Sequence, residues 1–225
     1  VTRLREAGAV ILGKTNMHEL AAGSTTISSL GGQTKNPYDI TRNPGGSSGG
    51  TGTAIAASFA TIGWGSDTCG SIRIPAALNG LVGMKPTQGL LPKNGVFTGT
   101  WSLDSTGPIS RTVSDNATLL SVLSGIPNRD LLDTDMVSNS CQSNPEKLSD
   151  VVIGVPESYF FEGLDREVEA AVSNAIEVLQ GLGAEVHQVD IPSAVYSVEV
   201  GAVISWSEYS RSQELLFKEH SEQLG

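Results

Sequence analysis

Two clusters of glycine and hydroxyl residues, Gly45-Gly46-Ser47-Ser48-Gly49-Gly50 and Asp67-Thr68-Cys69-Gly70-Ser71, flank a short segment of small apolar residues, Ala54 to Ile62. No other feature constrains this chain as strongly. Glycine runs let backbone N–H groups approach a ligand closely, or let the chain take positive φ. The serines supply hydroxyls able to act as nucleophile or proton carrier. Thr51 to Ala60 reads as a helix of small residues and Thr61 to Gly65 as its partner strand. A packed helix–strand unit with a hydroxyl-bearing loop at each end predicts one catalytic site built from two loops.

The rest of the chain alternates helix with short apolar strand. Thr2 to Ala7 is a helix pattern ended by Gly8. Ala9-Val10-Ile11-Leu12 is a continuous apolar run of the kind found in strands buried on both faces. Met17 to Ala22 reads as a short helix with Asn16 as N-cap. Gly23 to Asn43 is long, polar and turn-rich, which in a compact domain marks a functional loop or a lid. Ile72 to Leu78 starts a helix, because Pro75 is tolerated in a first turn. Leu81 to Met84 is a strand, and Ser114 to Leu123 a helix with Ser114 as N-cap and Gly125 beyond its end. Asn128 to Asp150 is polar and aperiodic and reads as a surface insertion or loop. Val151 to Val155 is a strand. In the helix that begins at Asp165, Val168, Val172, Ile176, Leu179 and Leu182 form one stripe. Gly183 ends that helix, Glu185 to Val189 alternates as a strand, and Ser193 onward is helical. This succession implies an α/β fold in a single domain over 1–225, with a mixed, mostly parallel twisted sheet covered by helices on both faces.

Several classes of function are excluded. A net charge of −10 leaves no basic face for a nucleic acid. No apolar run reaches the roughly 18 residues of a membrane span. Two cysteines, Cys69 and Cys141, are too few for a disulfide framework or a four-cysteine zinc site. A thiol inside a Gly/Ser loop fits a reducing compartment, so a cytoplasmic location is expected. The chain opens on Val1 within a helix pattern, and the expectation is a true N-terminus lying upstream.

Among chemical motifs, Gly45 to Gly50 has phosphate-loop spacing, but Thr51 stands where that loop needs lysine. Ser71 lacks the later glycine of a nucleophile elbow. His18, His187 and His220 lie far from the serine clusters in sequence and read as ordinary histidines rather than as members of a Ser-His-Asp triad. No His, Cys or carboxylate pair has metal-ligand spacing, so neither metal nor cofactor is expected. A serine activated by a lysine held neutral by burial and neighbours fits better.

At these residues the chain resembles the amidase signature family. The shared text is GGSSGG, a helix and strand, Gly65 to Ala77 (GSDTCGSIRIPAA), and Gly83-Met84-Lys85-Pro86-Thr87. It extends to Leu4–Leu20, Asn36–Asp39, Leu103–Pro108 and Arg111–Asp115, close over 1–125 and looser over 151–192. The resemblance implies a Ser–cis-Ser–Lys triad on an incomplete amidase signature fold. Ser71 matches the nucleophile that forms the acyl-enzyme. Ser47, after a cis Gly46–Ser47 peptide, matches the relay that moves a proton between nucleophile and lysine. The backbone N–H groups of Thr68, Cys69, Gly70 and Ser71 match the oxyanion hole. Asp67 and Arg73 match a supporting network that holds the loop. The implied partner is a small-molecule amide substrate, with no nucleic acid, membrane, metal or cofactor, and with homo-oligomer formation left open.

The sequence departs from the family in two places. Cys69 stands where many members have glycine, yet it offers its N–H equally well. The family's lysine lies in a V-x-x-K-D segment upstream of the text that begins here almost at residue 1, so that lysine is expected outside these 225 residues. Lys14 matches a different position, a turn after a strand, and reads as structural. The implied function is hydrolysis of a carboxamide to carboxylate and ammonia or amine, and Met17–Leu20 with Arg73–Ala77 look like general small-amide hydrolases. Two alternatives stay open: the A chain of glutamyl-tRNA(Gln) amidotransferase, releasing ammonia from glutamine, and a catalytically inactive truncated remnant.

Overall fold

The computed structural model describes residues 1–126 and 148–223. Cys141 and nearly all of the insertion expected over 128–150 lie outside the described residues. Contacts divide the chain into two units, Val1–Asn128 with Gly201–Gly225, and Arg129–Val200.

In the first unit, α1 is Thr2–Glu6, a small hairpin pairs β1 (Ile27–Ser28) with β2 (Gly32–Gln33), and α2 is Gly49–Ala56. Then come β3 (Ile62–Asp67), α3 (Arg73–Leu78), β4 (Val82–Gly83), β5 (Ser105–Ser110) and α4 (Val113–Ser124). The sheet order is β3-β5-β4, antiparallel at both pairings. β3 and β4 therefore run in the same direction, as a helix crossover requires, but β5 returns between them. The chain is mixed α/β as expected, in several small sheets, and among the described residues one strand pairing is parallel and three are antiparallel, where a mostly parallel sheet was expected.

Helices cover both faces of this sheet. Ile55 of α2, Ile72 before α3 and Ile109 of β5 form a cluster with no exposed surface, each burial contributing about 2–3 kcal/mol. On the other face Asn116 of α4, also buried, donates to Val82 O, Pro108 O and Ser110 Oγ. That amide ties α4 to β4 and to β5. Glycine makes the close approach possible. A Cβ on Gly107 would lie 2.1 Å from Met84 O. Gly107→Ala is expected to lower stability by roughly 1–3 kcal/mol, measured as the drop in Tm of this chain; an unchanged Tm contradicts the packing described.

Three local expectations are corrected. Ala9–Leu12 is no strand: no strand pairs with it among the described residues, and Val10 and Leu12 are 82% and 72% exposed. Apolar character alone does not supply the neighbour whose N–H and C=O groups make a strand. The Met17–Ala22 helix is a single 3-10 turn, Glu19–Ala21, preceded by His18 rather than capped by Asn16. The Asn16 side chain instead donates to Gly32 O and Thr34 Oγ1 and accepts from Ser28 Oγ, fastening the β1–β2 hairpin. The N-cap of α4 is Thr112, whose Oγ1 accepts the Asp115 N–H at 3.0 Å, and not Ser114. Gly125 ends that helix at φ 74°, as its position predicts.

In the second unit, β6 (Val152–Pro156) pairs in parallel with β7 (Glu185–Val189), and α5 (Arg166–Gly181) connects them. Asp165 caps α5 by accepting the Glu167 N–H at 2.8 Å. Val168, Val172 and Leu179 of the apolar stripe are exposed. The chain ends with α6 (Ser197–Ser212) and α7 (Glu214–His220).

Candidate active site

Both Gly/Ser clusters sit at ends of packed elements. The first runs directly into the N-terminus of α2, with Ser48 as the preceding residue. The second leaves the end of β3 and enters α3, with Ile72 as the preceding residue. One hydrogen bond joins them: the Ser48 N–H donates to Ser71 O at 3.1 Å. Ser48 also links its loop to β3, since its Oγ donates to Ser66 O and accepts the Ser66 N–H, both at 3.2 Å. Ser48 is thus occupied by structure.

Ser47 is fully buried, and its Oγ has no hydrogen-bond partner among the described residues. The Gly46–Ser47 peptide is cis, the conformation that the resemblance implies there. Ser47 O accepts the His18 N–H at 3.0 Å. Thr26, also fully buried, donates its hydroxyl to Gly45 O at 2.7 Å and accepts the Gly49 N–H at 3.0 Å. Thr26 holds φ 59°, a conformation unfavourable for a β-branched residue that persists only where surroundings impose it. The backbone of Ser24 and Thr25 lies so close that a Cβ on Gly46 would be 2.8 Å from Ser24 C. The start of the 23–43 segment therefore packs against the first loop as its support.

The second loop is gripped by Asp67. Its Oδ1 accepts the Gly70 N–H at 2.7 Å and Arg73 Nη2 at 3.0 Å. Its Oδ2 accepts the Ile72 N–H and Arg73 Nε, both at 3.1 Å. Burial would push this carboxyl up, but the Arg73 guanidinium and the N–H groups of Ile72 and Gly70 outweigh it and hold Asp67 below the usual carboxylate range. These bonds bear on the expected oxyanion donors. The Gly70 N–H is already committed to Asp67, so it is poorly placed to serve a ligand. The N–H groups of Thr68, Cys69 and Ser71 donate to no acceptor among the described residues. Gly70 itself holds φ 123°, which only glycine adopts readily. Ser71 is half-buried, and Cys69 is exposed.

The residues singled out from the sequence therefore fall in two places: Gly46 and Ser47 in the first loop, and the hydrogen-bonded set of Asp67, Gly70 and Arg73 on either side of Ser71 in the second. Sequence reasoning missed Thr26, whose one signal is a hydroxyl in a long polar segment, and the backbone contribution of His18, which has none. It also missed Asp104, which accepts the Thr68 hydroxyl at 2.5 Å. Lys14 is exposed. No group of three or more His, Cys, Asp or Glu among the described residues is arranged to hold a metal ion. No described helix is long and apolar enough to cross a membrane.

Comparison with known proteins gives a consistent picture. The sequence model of the family described as Amidase matches residues 1–223. The chain is 45% identical over 214 residues to the A chain of glutamyl-tRNA(Gln) amidotransferase from Syntrophus aciditrophicus, covering 93% of this chain and 44% of that protein. A crystal structure of an amidase superposes with a TM-score of 0.86 at 37% identity, covering 100% of this chain and 48% of the other. The native peptide amidase of Stenotrophomonas maltophilia superposes with a TM-score of 0.78 at 35% identity, covering 98% and 47%. The chain spans about half the length of the relatives it matches.

Proposed function

The chain belongs to the amidase family, and from that premise we propose that the protein hydrolyses a carboxamide through an acyl-enzyme on Ser71. The observation that carries this reading is the Ser47 hydroxyl, enclosed and without a partner among the described residues, in a segment hydrogen-bonded to Ser71. Leaving a buried hydroxyl unpaired costs about 1–3 kcal/mol, and a proton relay gives that placement a use.

Ser71 Oγ attacks the amide carbonyl carbon while its proton passes to Ser47 Oγ, which hands its own proton to an amine. That amine is the lysine that the resemblance puts upstream of these residues. The oxyanion is held by N–H groups of the Thr68–Ser71 loop, with Cys69 and Ser71 the best-placed donors because Gly70 serves Asp67. Collapse breaks the C–N bond as Ser47 passes a proton to the leaving nitrogen and takes one back from the ammonium, which leaves the amine neutral again. Water then attacks the ester, releasing the carboxylate and restoring Ser71. Asp67 and Arg73 take no part in proton transfer and hold the loop.

Similarity to the A chain of an amidotransferase favours a second reading, in which the amide is glutamine and the ammonia passes to partner chains. Ammonia release separates the two. The protein with its upstream segment in place is assayed on simple carboxamides and on glutamine, alone and with the other amidotransferase chains. Turnover of simple amides without partners supports the first reading, and glutamine turnover confined to the assembly supports the second. A protein inert under every condition defeats both and leaves the inactive remnant.

A further inference from the structure

We infer that Asp104 is a positioning residue for this site: it holds Thr68, and through Thr68 the backbone donors that flank Ser71. The inference rests on the reading of the 68–71 loop as the anion cradle of an amide hydrolase.

The register of the sheet puts the two residues together. Asp67 and Ser105 are the last paired positions of β3 and β5. Thr68 and Asp104 are the next residues outward, where the ladder stops and backbone bonds no longer tie the strands. A side-chain bond takes over at that point: Thr68 Oγ1 donates to Asp104 Oδ1 at 2.5 Å, the length of a charge-assisted O–H···O⁻ bond. The other carboxylate oxygen is already fixed. Asp104 Oδ2 accepts the N–H groups of Gly99 and Thr100, each at 2.9 Å. The Asp104 N–H donates to Thr100 O at 2.8 Å, closing the loop on itself.

That loop is anchored in turn by α6. Thr100 Oγ1 donates to Ser205 O, and Ser212 Oγ donates to Gly99 O at 2.6 Å. The Tyr209 ring lies against Gly99, where an added Cβ would be 2.7 Å from it. Burial and the Asp104 charge push the Tyr209 hydroxyl up to about 12, so it stays a donor to Leu20 O at 2.9 Å. Asp104 is therefore held by a loop that is itself hydrogen-bonded to α6.

The nucleophile loop thus has a carboxylate at each end. Asp67 secures Gly70, Ile72 and Arg73, while Asp104 secures Thr68. Cys69 and Ser71 lie between these fixed points, their N–H groups uncommitted among the described residues. Such donors stabilise an oxyanion only if they are oriented before it forms. Releasing Thr68 affects an interaction realised in the transition state, so kcat falls while KM is little changed.

The test uses Thr68→Val, which keeps the shape and removes the hydroxyl, with Thr68→Ser as the rescue. Kinetics are measured in the protein with its upstream segment in place, and hydrogen exchange over 66–72 in the same protein. Thr68→Val is expected to lower kcat by about tenfold, with KM within about twofold, and to speed exchange in that segment. Thr68→Ser restores most of both. Asp104→Asn puts an NH2 group against either Thr68 or the Gly99 and Thr100 N–H groups, so it is expected to match Thr68→Val. The double variant is then no worse than either single one. A loss that follows Tm alone and is not rescued by serine overturns the inference, as does a Thr68→Val protein with wild-type kcat and exchange. Should the wild type turn over no amide, the proposed function fails on its own, and exchange decides whether Asp104 orders the loop.

Discussion

Ser71→Ala is expected to lower kcat/KM for amide hydrolysis by about 10⁴-fold or more and to abolish labelling by a fluorophosphonate. The magnitude follows from the role. A nucleophile that forms the covalent intermediate has no substitute, and what survives its removal is binding and oxyanion stabilisation alone. The fold should be unaffected. Ser71 contributes its carbonyl to the Ser48 N–H, and alanine keeps that carbonyl. No hydrogen bond is made by the Ser71 hydroxyl among the described residues. The Tm of the variant should therefore lie within about 2 °C of wild type, surface-accessible substitutions of this kind changing stability by about 0.5 kcal/mol or less. Cys69→Ala is the companion control. The thiol is exposed beside Ser71, and if it were the nucleophile its removal, not that of Ser71, would end turnover. Retained labelling of Ser71→Ala at wild-type rate removes Ser71 from the mechanism.

What could be read in the sequence differs from what could not by the range of the interactions involved. The two loops announced themselves because their chemistry is local: glycine where the backbone must turn or approach, serine where a hydroxyl is needed. Gly70 shows where local reading stops. Its glycine is demanded by φ 123°, but whether its N–H faces a ligand or Asp67 depends on a loop closing back on a residue three positions earlier. The spacing Asp67-x-x-Gly70 is the signal that could have been read, since short polar side chains close loops by accepting nearby backbone N–H groups. β5 was hidden for another reason. Ser105-Thr106-Gly107-Pro108-Ile109-Ser110 has the composition of a turn, yet all six residues are buried, because helices lie on both faces and no polar–apolar alternation is required. The reverse error is Ala9–Leu12, where apolar residues suggested a strand although nothing among the described residues pairs with them. Asp104 was out of reach altogether. Its contact with Thr68 depends on the register of two strands distant in sequence.

Asp67→Asn is expected to damage stability and activity together. Both carboxylate oxygens of Asp67 face donors, Oδ1 toward the Gly70 N–H and Arg73 Nη2, Oδ2 toward the Ile72 N–H and Arg73 Nε. Asparagine has one carbonyl oxygen and one NH2 group, so in either orientation a donor meets donors and one buried N–H is left unpaired. That costs about 2 kcal/mol, or roughly 4–8 °C in Tm for a domain of this size. Arg73 adds little, because its side chain is half exposed and turns to water. Gly70 is then released from the position that shapes the loop around Ser71, and kcat is expected to fall by about 100-fold, comparable to losing an oxyanion donor. The pH dependence has a definite sign. The native pKa of Asp67 is depressed, so its contribution to stability is complete above the unfolded carboxyl value of about 3.9. It is lost as pH falls below that value and through the native one. The Tm gap between wild type and Asp67→Asn should therefore be full at pH 7 and close in acid. A gap that widens as pH falls below about 4, or a variant equal to wild type in Tm and kcat at pH 7, would show that Asp67 is not the ionised clamp of this loop.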